Sequence, residues 1–177
     1  GYRAFASEGG HVDFAPVSPE QAGLLDYLTN SFDHVSYERV CSGIGLANIY
    51  DYFKNSGHTG DPDCPAREHP AEEDPVPRII RGALDKNRPC GLCRETLAAF
   101  VSILGAEAGN MALKTMATGG IYLGGGIPPR ILPFLETGGF LNAFVRKGRM
   151  SELMKKVPVY VILHSEAALL GAARHAM

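Results

Sequence analysis

The chain reads as an α/β protein in which helices outweigh strands and the strands pair in parallel. Long stretches carry apolar residues at helical spacing, as in Leu97, Phe100, Val101, Leu104 and Ala108. Two apolar, strand-like runs, 119–126 and 157–163, stand apart from them. Helical segments lie between those two runs, the arrangement of a crossover connecting parallel strands.

Taken in order, residues 2–6 and 11–15 read as short strand pieces around a Glu8-Gly9-Gly10-His11 turn. Ser18-Pro19-Glu20 opens a helix, with Ser at the N-cap, Pro at the first helical position and an acid in the first turn. Leu24, Leu25 and Leu28 form its stripe, and it ends near Asn30. Residues 37–41 read as a short helix and 45–55 as another, with Leu46, Ile49, Tyr50 and Phe53 on one face. Residues 56–77 are polar, rich in Pro and Asp and without periodicity, which predicts a surface loop. A helix follows over 76–86, and a long one from Cys90 or Gly91 to about Ala117, where Gly105 and Gly109 predict close packing against another element. Gly119 to Gly126 reads as a buried strand entering a glycine turn, and Ile127-Pro128-Pro129-Arg130 opens a helix ending near Gly138. Pro158 interrupts the second strand-like run, and a final helix covers about 167–176. There is no internal repeat or low-complexity tract.

With 177 residues, the chain is long enough for one domain with a full core. Its formal net charge of -2 gives no global electrostatic case for binding nucleic acid or a membrane. No run reaches the roughly 18 apolar residues that span a bilayer, and no signal peptide opens the chain, so a cytoplasmic protein is expected. The chain opens on Gly1-Tyr2 and meets its most chemical motif almost at once, which reads as part of a longer protein.

That motif sets a carboxylate and an imidazole on either side of two glycines. Glycines let a bulky, hydroxyl-rich ligand press against the backbone. Carboxylate oxygens accept hydrogen bonds and a neutral imidazole both accepts and donates, a chemistry that suits a sugar. Charge-assisted hydrogen bonds to such hydroxyls contribute about 1.5–3 kcal/mol each. Glu8, His11 and Glu38 are the candidate sugar contacts. From spacing alone Glu38 also reads as a solvated acid beside Arg39, and His11 as a structural histidine satisfied by Asp13 two residues on.

Four ordered segments resemble the bacterial-type glucokinases. These are Glu-Gly-Gly-His-Val-Asp-Phe-Ala-Pro at 8–16, His-Val-Ser-x-Glu-Arg-Val at 34–40, the glycine-flanked strand with Gly-Gly-Ile-x-Pro-Arg ending at Arg130, and Pro-Val-Tyr-x-Ile-x-His at 158–164 with Leu-Leu-Gly at 169–171. The similarity covers nearly the whole chain. It implies an actin-like, ribonuclease-H-like ATPase domain, the large lobe of a sugar kinase, incomplete at its N-terminus and spanning residues 1–177. It implies glucose contacts at Glu8, His11 and Glu38, and an ATP site, with Mg2+ in the complete enzyme, near Gly124, Gly125 and Gly126. A glycine turn after a buried strand has its own physical reading, since it lets backbone N–H groups approach a phosphate or an adenosine. Without the resemblance it reads equally as a tight strand–helix corner.

The same resemblance says what this sequence does not contain. The family's Asp-x-Gly-Gly-Thr phosphate loop, its Asn-Asp pair bearing the general base, and its Gly-Thr-Gly loop are not found in these 177 residues. Asp13 does not replace that base, because the family's Asp at that place is not catalytic. No catalytic residue is therefore assigned here, and the chain alone is expected to be inactive. The resemblance implies that the fold's first strands precede Gly1, and the open sheet edge this would leave predicts a homodimer. A non-catalytic, sugar-responsive module on the same lobe is the alternative.

A third reading is a zinc site in which Cys90-x-x-Cys93 joins Cys64 and His69. A single Cys-x-x-Cys and the unusual Cys64–His69 spacing weigh against it, so reduced thiols and no metal are expected, with Cys41 in the core. Arg146, Lys147, Arg149, Lys155 and Lys156 read as a solvated basic face.

Overall fold

The computed structural model describes residues 5–57, 64 and 74–176. Most of the expected 56–77 loop, His69 and the start of the 2–6 strand lie outside the described residues. The chain divides into two compact units, Gly1–Phe100 and Val101–Met177.

In the first unit, α1 (Pro19–Thr29) begins where the sequence signals it. The Ser18 hydroxyl accepts from the Gln21 N–H at 3.2 Å, and the Gln21 side chain accepts from the Val17 N–H at 3.0 Å. The two residues thus satisfy N–H groups on either side of the helix start, a variant of the capping box. Its apolar stripe buries Leu24 and Leu28. A second helix, α2 (Gly43–Asn55), starts two residues before the expected 45–55 because Ser42 caps it, accepting from the Gly45 N–H at 3.2 Å. Leu46, Ile49, Tyr50 and Phe53 are all buried, the face the periodicity predicts. α3 (Val76–Leu84) buries Ile79, Ile80 and Ala83. It stops before Lys86, as Asp85 leaves helical geometry and accepts from the Asn87 and Arg88 N–H groups at 2.8 and 3.0 Å. Those two bonds hold the Asp85 carboxyl below its usual value.

The long helix α4 (Gly91–Thr115) supplies Leu92, Leu97 and Phe100 to this first core. Among the described residues it is the helix long and apolar enough to cross a membrane, and 61% of its apolar window is buried inside the protein, as in a core helix.

The second unit is built on the remainder of α4 and a two-stranded sheet. β1 (Ile121–Leu123) and β2 (Val159–Val161) pair in parallel, with Tyr122 opposite Tyr160. Those two rings stack at 4.9 Å between centroids on one sheet face. Between the strands run a 3-10 turn at Pro128–Ile131, α5 (Leu132–Leu135), α6 (Gly139–Val145) and α7 (Ser151–Met154). The single helix expected from Ile127 to Gly138 is thus a tight turn plus one helical turn, and α6 and α7 are additions. α6 packs closely on α4, as Gly105 and Gly109 predict. A methyl group at Gly105 would run into the Phe140 carbonyl, 3.0 Å from its carbon, and one at Gly109 would lie 2.6 Å from the Phe144 oxygen.

Phe140, Phe144, Ile131, Leu135 and Met154 form the second core. Lys147, expected on a solvated face, instead turns inward and donates to the Ala106 carbonyl at 2.8 Å and to Asn110 Oδ1 at 2.6 Å. Burial lowers its pKa, and the nearby Glu107 charge opposes that shift. α8 (Ala167–Ala176) closes the chain.

Candidate functional site

The Glu8–His11 segment is not the strand–turn–strand the sequence suggests. Residues Gly9–His11 form a 3-10 turn, closed by the His11 N–H donating to the Glu8 carbonyl at 2.9 Å. The expected strand at 11–15 contracts to a single antiparallel bridge, Asp13 with Ser36. That bridge has a consequence for the site. The Phe14 N–H donates to Val35 at 2.9 Å and the Tyr37 N–H to Val12 at 3.0 Å, so the segments at 8–16 and 34–40 are laced backbone to backbone.

Glu38 sits in the 3-10 turn Tyr37–Arg39, directly beyond the lacing. Phe14 and Tyr37, which lie at the lacing, are buried edge to face, 5.7 Å between centroids. Glu8, His11 and Glu38 remain exposed. Arg39 does not serve simply as a surface partner of Glu38, because its guanidinium carbon lies 4.2 Å over the Phe32 ring.

Asp13 does not satisfy His11. Its carboxylate meets His34 Nε2 at 2.8 Å, and His11 stands edge-on to the His34 ring at 5.0 Å. The pair is exposed, Asp13 at 92% and His34 at 41%, so it orients the rings more than it stabilises the fold. His34 was legible as the first residue of the second motif, but its place beside His11 depends on a pairing across the chain. The result is an acid, two imidazoles and a second acid carried on two tied segments, able to accept and donate to neighbouring hydroxyls.

The glycine turn lines a second candidate site. Gly124, Gly125 and Gly126 line a cavity of about 520 Å³ together with Arg130, His164 and Ser165. Gly125 has φ +98°, a conformation other residues rarely adopt, and a Cβ at Gly125 or Gly126 would meet nothing within 4 Å. The turn therefore presents bare backbone to an open space. Sequence reasoning placed the glycines but not His164 and Ser165. They arrive because β2 runs parallel to β1 and so ends at the same edge, its Ile162 N–H donating to Leu123 at 2.9 Å.

The cysteines also gather. Cys64 and Cys90 form a disulfide, and Cys93 Sγ lies 3.4 Å from Cys64 Sγ. The expectation of reduced thiols is corrected for that pair, whose Cα atoms approach to 5.4 Å despite 26 residues of separation. Burial pushes the Cys93 thiol up to about 12. Cys41 is half-buried rather than in the core.

The parallel α/β unit with a glycine turn at its strand ends is consistent with part of an actin-like ATPase domain of the sugar-kinase type. A family model described as Glucokinase matches residues 1–177. The chain belongs to the glucokinase family. It is 41% identical over 184 residues to a glucokinase of Nostoc punctiforme, covering 97% of this chain and 53% of that protein. It is 42% identical over 168 residues to a glucokinase of Cronobacter sakazakii, covering 95% and 49%. A crystal structure of glucokinase from an Antarctic psychrotroph superposes with a TM-score of 0.79 at 34% identity, over 97% of this chain and 50% of that one. A glucokinase from Balamuthia mandrillaris, solved in complex with glucose, shares the fold with a TM-score of 0.74 at 20% identity, over 91% and 44%. The chain thus spans about half the length of the relatives it matches.

Proposed function

We propose that this chain is the sugar-binding large lobe of a cytoplasmic, ATP-dependent glucokinase, with residues 1–177 forming its C-terminal domain. The observation that carries the reading is the backbone lacing of residues 12–14 to 35–37, which ties Glu8 and His11 to the segment of Glu38. In this reading Glu8, His11 and Glu38 accept from sugar hydroxyls, and His11 also donates. Their contacts fix which hydroxyl faces the phosphoryl donor, and positioning of this kind is a large part of phosphoryl-transfer catalysis.

The cavity beside Gly124, Gly125 and Gly126 takes the adenosine end of ATP. Its volume, its bare backbone and the donors of Arg130, His164 and Ser165 fit that group. ATP with Mg2+ supplies the phosphoryl group in the complete enzyme. The general base and the phosphate loops belong, on the family's pattern, to residues outside this sequence, so the chain alone binds without turnover. Among the described residues its sheet has two strands, and pairing along an edge of such a sheet is the route proposed for a homodimer. Coupled detection of glucose 6-phosphate with chain, glucose and Mg-ATP tests the assignment of roles. No product above the buffer blank is expected. Turnover by protein free of contaminating kinase would overturn the assignment of the base to another segment.

A further inference from the structure

We propose that Cys64, Cys90 and Cys93, with the disulfide reduced, form a three-thiolate site for a soft divalent cation, zinc. The three Sγ atoms all lie within 4.8 Å of one another. Two thiolates on a tetrahedral zinc, each about 2.3 Å from the metal, stand about 3.8 Å apart, so one ion fits among sulfurs already gathered at this spacing. The side chains are buried, at 5%, 1% and 0% exposure for Cys64, Cys90 and Cys93.

The scaffold around them is built rather than incidental. Cys90 directly precedes α4 and Cys93 lies in its first turn, so both sulfurs sit at the positive end of a 25-residue helix. The Cys93 N–H points at Cys90 Sγ at 3.5 Å, a donor already aimed at a sulfur that must carry charge. The Cys90 N–H is held by the Gly82 carbonyl at 2.9 Å, which fixes the helix start on α3. Gly82 itself faces the cluster, since a Cβ there would lie 3.0 Å from Cys93 Sγ. Cys-x-x-Cys supplies two ligands from one turn, and Cys64 closes the site from 26 residues away. Tyr50 Oη lies 4.0 Å from Cys64 Sγ, a hydroxyl beside the third ligand.

Thiolates select soft ions. Zinc is favoured over a monovalent ion because two positive charges against three thiolates leave one buried negative charge instead of two. Among the described residues the cluster offers three ligand atoms, and the proposal rests on these three thiolates.

The chemistry balances with a thiol reductant. Two reductant thiols give two electrons and two protons to the Cys64–Cys90 bond, becoming one disulfide and leaving two protein thiols. Zinc then displaces three protons from Cys64, Cys90 and Cys93. The disulfide is what the same sulfurs form without metal.

The test uses the whole chain, reduced and freed of reductant, with zinc titrated against a chromophoric chelator and cobalt(II) substituted in parallel. One zinc per chain is expected, with a near-ultraviolet thiolate-to-cobalt charge-transfer band. Cys93→Ser should lose both, and Cys41→Ser, outside the cluster, should keep both. Should Cys93→Ser fail to fold, the cobalt band of the wild-type chain still decides, because its intensity rises with the number of thiolates bound. A folded, reduced chain that takes up no zinc, binding unaltered in Cys93→Ser, or bound cobalt without the thiolate band would each overturn the proposal.

Discussion

Gly125 and Gly126 sit side by side in the cavity proposed for the nucleotide, yet alanine should act on them through different physics. At Gly125 the backbone has φ +98°, and a Cβ would meet nothing within 4 Å, so the whole cost of Gly125→Ala is conformational. Holding a side chain in such a region costs about 1–3 kcal/mol. For a chain of this size each kcal/mol moves the melting midpoint by about 2–4 °C, giving a fall of about 2–12 °C. Gly126 has no positive φ and equally open surroundings. There, alanine restricts only the unfolded chain and stabilises by up to about 1 kcal/mol. The assay is thermal unfolding by circular dichroism of both variants beside wild type, followed by titration with ADP. Gly125→Ala should melt below wild type and Gly126→Ala at or above it. Both should weaken ADP, the first by moving the turn and the second by setting a methyl group in the cavity. Equal melting points for the two variants would refute the claim that backbone conformation selects glycine at 125.

Gly105→Ala tests the packing of α4 on α6. Alanine improves helix propensity by about 1 kcal/mol, but the methyl group meets the Phe140 backbone and overpacking costs up to about 3 kcal/mol, so a net loss of about 2 kcal/mol in urea unfolding is expected. Gly171→Ala in α8, where nothing lies within 4 Å, should lose nothing. Asp85 has its carboxyl held low by two backbone N–H groups. Its contribution is therefore present above the usual carboxyl value of 3.8 and lost as pH falls through the lowered folded value. Urea midpoints should show Asp85→Asn less stable than wild type at pH 7, with the gap closing at acid pH.

The helices whose ends carry their own chemistry were legible. Ser18-Pro19 announces the start of α1, the Ser42 cap sets α2 two residues ahead of the start that the apolar period marks, and the stripes of Leu24, Leu28, Leu46 and Phe53 follow one period. α6 was not, because its N-cap is Gly138 in a left-handed conformation with no side chain to announce a start. The first motif was readable as chemistry but not as geometry. Whether 11–15 pairs as a strand depends on a partner more than twenty residues away, and only Ser36 provides the bridge. The same limit hid His34 beside His11, whereas the Cys-x-x-Cys spacing did point to Cys64 beside Cys90, as a zinc site rather than a disulfide. His164 and Ser165 reached the cavity through sheet register, which no local pattern states.

In the proposed function the sugar site lies on this chain at Glu8, His11 and Glu38. Ligand-observed NMR of glucose with the wild-type chain and with Glu38→Ala tests it most directly. Saturation transfer from the folded wild-type chain to glucose, lost in Glu38→Ala, is the predicted result. Transfer that persists undiminished in the variant, or none from the folded wild-type chain, would contradict it.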